Sequence, residues 1–141
     1  MAIISRSVLT VSRTTTVMEA VELMASAKVG SVIVVEDKRV AGIFSERDVM
    51  LRVVLEGRDP RRTKVEEVMT SRVHSISMQT TGDEALRIMS QEHIRHLPVV
   101  DEKGSPQAIV SMRSLLDEKI KELHQQLDSL ESYISADGIG G

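Results

Sequence analysis

Thr16-Val17-Met18-Glu19-Ala20-Val21-Glu22-Leu23-Met24 returns half a chain later as Thr81-Gly82-Asp83-Glu84-Ala85-Leu86-Arg87-Ile88-Met89. A helix-like stretch that recurs at such a separation marks a duplicated unit. The flanking segments carry the same duplication. Val29-Gly30-Ser31-Val32-Ile33-Val34-Val35 resembles Ile94-Arg95-His96-Leu97-Pro98-Val99-Val100, Gly42-Ile43-Phe44-Ser45 resembles Ala108-Ile109-Val110-Ser111, and Val11-Ser12 resembles Ile76-Ser77. The offset holds except for one extra residue in the second turn, so the chain carries two copies of one unit and is not an array.

Each copy spells β-α-β-β-α. A short apolar opening segment leads to a helix with apolar residues at helical spacing, Val17, Ala20, Val21 and Met24 in one copy and Ala85, Leu86 and Met89 in the other. A β-branched run follows, then a charged turn, Glu36-Asp37-Lys38-Arg39 or Asp101-Glu102-Lys103-Gly104. A second strand ends at Ser45 or Ser111, where a second helix starts. The strands flanking the charged turn form a hairpin. The helices cover one face of each small sheet, and the other face needs a partner, which the second copy supplies. The expected fold is therefore α/β (strictly α+β): two pseudo-symmetric repeats packed sheet to sheet, with an extended C-terminal helix. A cleft between related halves is a common place for a small-molecule site.

Composition narrows the function. The chain has 141 residues, 41% hydrophobic and 28% charged, with one Phe, one Tyr and no Trp. Its core must be built from Val, Ile, Leu, Met and Ala. The lack of aromatics argues against binding single-stranded nucleic acid by stacking. Net charge is −3, and the local basic run Arg58–Lys64 marks a solvated linker, so no nucleic-acid partner is expected. Cysteine is absent, which excludes disulfides, thiolate catalysis and Cys-based metal sites. No apolar run reaches membrane-spanning length, and the first residues lack a signal-peptide pattern. A cytoplasmic protein without a membrane partner is the expectation. His93 and His96 lie three apart, but no carboxylate pattern supports them as metal ligands. No base–nucleophile pair or nucleophile elbow occurs, so the chain reads as a non-enzyme without catalytic residues or metal.

Gly42-Ile43-Phe44-Ser45-Glu46-Arg47-Asp48-Val49 carries the chemistry. Ser45 stands where a helix N-cap would stand, and Asp48 where a capping-box acid would stand. The same residues suit a ligand: the helix start favours an anion, and Asp48 suits a pair of hydroxyls. The two roles are compatible.

Taken together, GIFSERDV, VGSVIVVED, VEEVMT and IRHLPVVDEKG in a tandem β-α-β-β-α frame resemble a pair of cystathionine β-synthase (CBS) domains, also called a Bateman module, over roughly residues 8–120. The resemblance implies a site for an adenosine-containing ligand. AMP and ATP come first, NAD(H) next, and ADP and S-adenosylmethionine also occur in the family. It implies that Asp48 accepts from the ribose hydroxyls and that Ser45 and Arg47 contact phosphate. The facing repeat is then expected to supply Ile94, Arg95, His96 and Pro98, with Ile76 and Thr81 from its opening segment. Arg95 and His96 would add charge-assisted phosphate contacts, and His96 titrates near neutrality. The second repeat departs from the pattern, with Ala108 for Gly and Ser114 for the Asp. Its site, around Ser111, Arg113 and Ser114 with Val29, Gly30, Ser31 and Ile33, is expected to be weak or empty, because a serine lacks the bidentate acceptor geometry of a carboxylate.

Leu116, Ile120, Leu123, Leu127, Leu130 and Ile134 alternate spacings of four and three, a heptad seam. The alternative to self-association is a helix folded back on its own domain. The resemblance implies pairing into a disc-like dimer, which gives the seam a partner. The expected organisation is repeat 1 over 8–64, repeat 2 over 65–120, a helical extension over 121–134 and an unstructured tail over 135–141. The expected function is a stand-alone regulatory protein that binds an adenine nucleotide between its repeats and signals to an unidentified regulated protein in trans. The alternative is a scaffold dimer with a vestigial nucleotide site.

Overall fold

The computed structural model describes residues 8–137, without the side chains of the last two. The first repeat runs β1 (Thr10–Ser12), α1 (Val17–Ala27), β2 (Ser31–Glu36), β3 (Arg39–Ser45) and α2 (Glu46–Asp48), which continues into a wider π-helical stretch, Val49–Val54. A short α3 (Val65–Val68) follows. The second repeat holds α4 (Gly82–Glu92), β4 (His96–Val100), β5 (Pro106–Ser111) and α5 (Met112–Asp137).

The duplication persists into fine geometry. Thr16 caps α1 by accepting from the Glu19 N–H, and Thr81 caps α4 by accepting from the Glu84 N–H. The caps satisfy N–H groups that have no partner within the helix. Both helices end on a left-handed residue that is not glycine, Lys28 at φ 56° and His93 at φ 55°. Their buried faces correspond position by position: Val17, Ala20 and Met24 against Gly82, Ala85 and Met89. Both hairpins bulge at the same place, after Val34 and after Val99. The turns differ by the one extra residue. Asp37 and Lys38, both at positive φ, close the first. In the second the Asp101 carboxylate accepts from the Lys103 and Ser105 N–H groups, and Gly104 takes the left-handed position at φ 82°.

One strand is missing from the second copy. In the first, β1 runs parallel to β2 and the Leu9 carbonyl accepts from the Ile33 N–H at 3.1 Å. Proline 98 occupies the position equivalent to Ile33 and has no N–H to give. Only a single bridge survives, in which Ile76 donates to the Pro98 carbonyl at 2.9 Å and accepts from the Val100 N–H at 2.8 Å.

Each repeat has its own core. Val11, Val17, Met24, Val32, Val34, Phe44, Val53, Val65 and Val68 form the first. Ile76, Met89, Leu97, Val99, Val110 and Leu115 form the second. Val32 and Val34 face α1, whereas Ile33, on the opposite face of β2, is fully buried as well. A strand buried on both sides is what sheet-to-sheet packing requires. The two halves also share a backbone bond, Val40 N–H to the Gly104 carbonyl at 3.2 Å.

The expected C-terminal helix is continuous from Met112 to Asp137, roughly 39 Å at 1.5 Å per residue. It therefore enters the segment expected to be an unstructured tail, whose residues 138–141 lie outside the described ones.

Candidate functional site

β3 delivers Ser45 to the start of α2, and the glycine three residues earlier sets how closely the inter-repeat segment approaches. A Cβ on Gly42 would stand 2.7 Å from the Met69 sulfur and 2.8 Å from the Thr70 carbonyl oxygen. Residues 69–70 lie directly on β3, where Ile43 and Thr70 exchange backbone bonds of 2.9 and 2.8 Å. This contact brings Thr70 beside Asp48.

Asp48 is only 6% exposed. Its Oδ2 accepts from the Ser45 N–H at 3.0 Å and from the Ser45 hydroxyl at 3.1 Å. The Asp48 N–H donates back to Ser45 Oγ at 3.4 Å, completing a capping box. Its Oδ1 accepts from the Thr70 hydroxyl at 3.2 Å and lies 3.9 Å from Arg52 Nε. Arg52 in turn donates through Nη1 to the Val68 and Met69 carbonyls, at 3.3 and 2.9 Å. The helix that starts at Ser45 does not stay regular beyond Asp48. Leu55 N–H bonds to the Met50 carbonyl and Arg58 N–H to the Val53 carbonyl, five residues back. The widened turn carries Arg52. Wide turns of this kind are frequent at functional sites.

The other expected site residues fall into groups. Arg47 is exposed at the helix start. Ile76 and Pro98, both buried, are joined by their backbones. The Arg95 carbonyl accepts from the Met112 N–H at 2.8 Å, as Gly30 accepts from Glu46 at 3.0 Å, so each serves the helix start of its own repeat. Ile94 packs against the second core. His96 is half-buried. Burial pushes its imidazole below the ordinary value of 6.5, the Glu46 carboxylate draws it back up, and the Arg95 guanidinium pushes it down further. His96 thus places Glu46, which starts α2, within electrostatic reach of the second repeat. Thr81 is committed to its cap through the Glu84 N–H at 3.1 Å.

At the second helix start the Ser111 and Ser114 hydroxyls bond each other at 2.8 Å, and the Ser114 N–H donates to Ser111 at 3.1 Å. The cap is retained without a charge. Ser31 and Ile33 are buried, Val29 and Gly30 are half-buried, and Arg113 is exposed. Thr70, Arg52 and Glu46 were not singled out from sequence. Arg52 was legible as the residue one helical turn beyond Asp48. Thr70 closes the VEEVMT motif, but its approach to Asp48 depends on a tertiary contact.

The family model for the CBS domain matches twice, over residues 1–55 and 65–121. The chain belongs to the CBS-domain family. CBS domain-containing protein CBSX3, mitochondrial, from Arabidopsis thaliana is 32% identical over 124 residues, 84% of this chain and 60% of that protein. This CBS pair thus spans three fifths of that relative's length. Among solved structures, a protein with CBS domains from Burkholderia ambifaria superposes with a TM-score of 0.78 at 35% identity, covering 83% of this chain and 85% of that one. The cytosolic domain of the Mg2+ channel MgtE, solved in complex with ATP, superposes with a TM-score of 0.65 at 31% identity, covering 78% of this chain and 44% of that one. Among the described residues no helix of this CBS pair is long and apolar enough to cross a membrane, and no cluster of His, Cys, Asp or Glu has the makings of a metal site.

Proposed function

We propose that this CBS pair is a non-enzymatic regulatory module that binds an adenosine-containing ligand between its repeats. AMP and ATP come first and NAD(H) next. The observation that carries the proposal is the buried Asp48 carboxylate at the start of α2, next to Glu46, whose charge acts on His96 of the second repeat. Asp48 accepts from the ribose hydroxyls, Ser45 and Arg47 meet phosphate, and Arg95 and His96 add cationic or neutral donors from the facing repeat. Ile76, Ile94, Pro98 and Thr81 border the adenosine. The relative solved with ATP supports the ligand class. The Ser111–Ser114 site lacks a carboxylate and binds weakly or not at all. Two chains associate through α5 and through the module face. Ligand binding favours one arrangement of the halves by its differential affinity, and a partner in trans reads it.

A second function has its own support. The Asp48 oxygens are already engaged by Ser45 and Thr70, as in a scaffold dimer with a vestigial site. Calorimetric titration with AMP, ATP, NAD, NADH and S-adenosylmethionine separates the two. Binding that Asp48→Asn weakens supports the sensor, and the tightest ligand names the signal. Heat from none of them leaves the scaffold.

A further inference from the structure

α5 leaves the second repeat with one face in the core and another bare. Leu115 is 2% exposed, but Leu116 is 45% exposed, Ile120 52%, Leu123 48%, Leu127 56%, Leu130 54% and Ile134 41%. The bare residues are the whole heptad seam, so the helix does not fold back along it. In heptad terms Ile120, Leu127 and Ile134 fall at a, and Leu116, Leu123 and Leu130 at d. If the coil is parallel, isoleucine enriched at a with leucine at d favours two strands.

The flanking charges decide the direction. Asp117, His124 and Glu131 occupy e; Lys119, Gln126 and Tyr133 occupy g. Antiparallel pairing with the seam fully overlapped sets Asp117 of each chain against Glu131 of the other, two repulsive contacts across one interface. Parallel pairing sets Gln126 against Glu131 and Lys119 against His124, and opposes no carboxylates. Lys119 is moreover held by Asp83 of its own chain at 3.2 Å, so it adds no free charge beside His124.

We infer that the occupant of this seam is α5 of a second copy of the chain, aligned parallel and in register, so that both C-termini leave the dimer at the same end. This rests on the self-association proposed above and adds its direction and residue pairing.

The absence of native cysteine gives a direct test on the full chain. In a parallel coil the two Leu130 positions meet at a spacing a disulfide spans; in an antiparallel one each meets Ile120. Under mild oxidation, Leu130→Cys and separately Leu123→Cys are expected to become disulfide-linked dimers nearly completely, while Gln125→Cys, on the outer face, stays unlinked. Leu130→Cys co-expressed with a size-tagged Ile120→Cys chain is expected to give no mixed disulfide. A mixed disulfide, or linkage no greater at Leu130 and Leu123 than at Gln125, overturns the inference. Light scattering on the unsubstituted chain keeps the two levels apart. A monomer mass removes self-association itself, whereas a dimer mass with an antiparallel or absent seam link removes only the parallel pairing.

Discussion

Asp48→Asn separates the two roles available to that carboxylate. As a cap, Asp48 accepts from the Ser45 N–H and hydroxyl through one oxygen and from Thr70 through the other. An asparagine keeps most of this. Its carbonyl oxygen can face Ser45, and its NH2 then faces Thr70, whose hydroxyl turns to accept. What is lost is charge assistance, roughly half the strength of each bond. The cost is about 1–1.5 kcal/mol, a fall in Tm of about 3–5 °C for a chain of this size. Asp48→Ala is a poorer probe. It deletes the cap, leaves donors unpaired in a buried site, and is expected to cost about 3 kcal/mol. As a ribose ligand the carboxylate must accept from a diol, which an amide with one acceptor oxygen does badly. Losing a hydrogen bond to a charged group, about 1.5–3 kcal/mol, weakens nucleotide binding roughly 10- to 150-fold. The assay is calorimetric titration with AMP and ATP beside thermal melts of the same preparations. If Asp48→Asn binds within about threefold of the native chain, the carboxylate is a cap and the ribose assignment is wrong.

Thr70→Val removes the protein donor that shares Asp48 Oδ1. It is expected to lower stability by about 1–2 kcal/mol while raising nucleotide affinity several-fold; a fall in affinity by titration would make Thr70 a ligand contact instead of a competitor. Gly42→Ala drives a Cβ to 2.8 Å from the Thr70 carbonyl oxygen, and melts should fall by about 1–3 kcal/mol, the range for overpacking; an unchanged Tm would refute the close approach. Because burial holds His96 below 6.5, the unfolded chain binds the proton first as pH falls. Its contribution to stability is therefore present above 6.5 and lost below it, and His96→Gln should flatten melts measured from pH 7.5 to 5. Nucleotide phosphate near His96 should add proton uptake on binding, seen as a dependence of the titration heat on buffer ionisation enthalpy below pH 6.5. Leu127→Ala removes a side chain 56% exposed in the protomer, worth about 1 kcal/mol per chain when covered; dilution light scattering should show the dimer Kd rising about 30-fold.

Much of the fold was legible because duplication repeats its own evidence. Thr16 and Thr81, Lys28 and His93, and Met24 and Met89 hold the same posts in both copies, so weak local patterns confirmed one another. The seam on α5 was legible for a related reason: its heptad spacing fixes which face is apolar, and that face is the exposed one. Two features were not. The second β1-like strand collapses to one bridge because of Pro98, whose missing donor matters only once its parallel partner is known. Thr70 reaches Asp48 because Gly42 lets residues 69–70 lie on β3, a contact between segments far apart in sequence. Capping was legible at Ser45 and Asp48 because a capping box is a local motif.

The two helix starts define how the copies diverged. Both keep the cap: Ser45 with Asp48, and Ser111 with Ser114. A cap needs only an oxygen in the right place, which a hydroxyl supplies as well as a carboxylate. If capping alone were required, a buried charge at the first start would be a liability, because burying a carboxylate costs several kcal/mol unless its oxygens are filled. The first repeat keeps that charge and surrounds it with the Ser45 and Thr70 donors and the nearby Arg52 guanidinium. The second repeat shows that the fold does without it. A charged group retained where a neutral one suffices for structure favours a binding role for Asp48, and it places the asymmetry of the module at the carboxylate that Asp48→Asn removes.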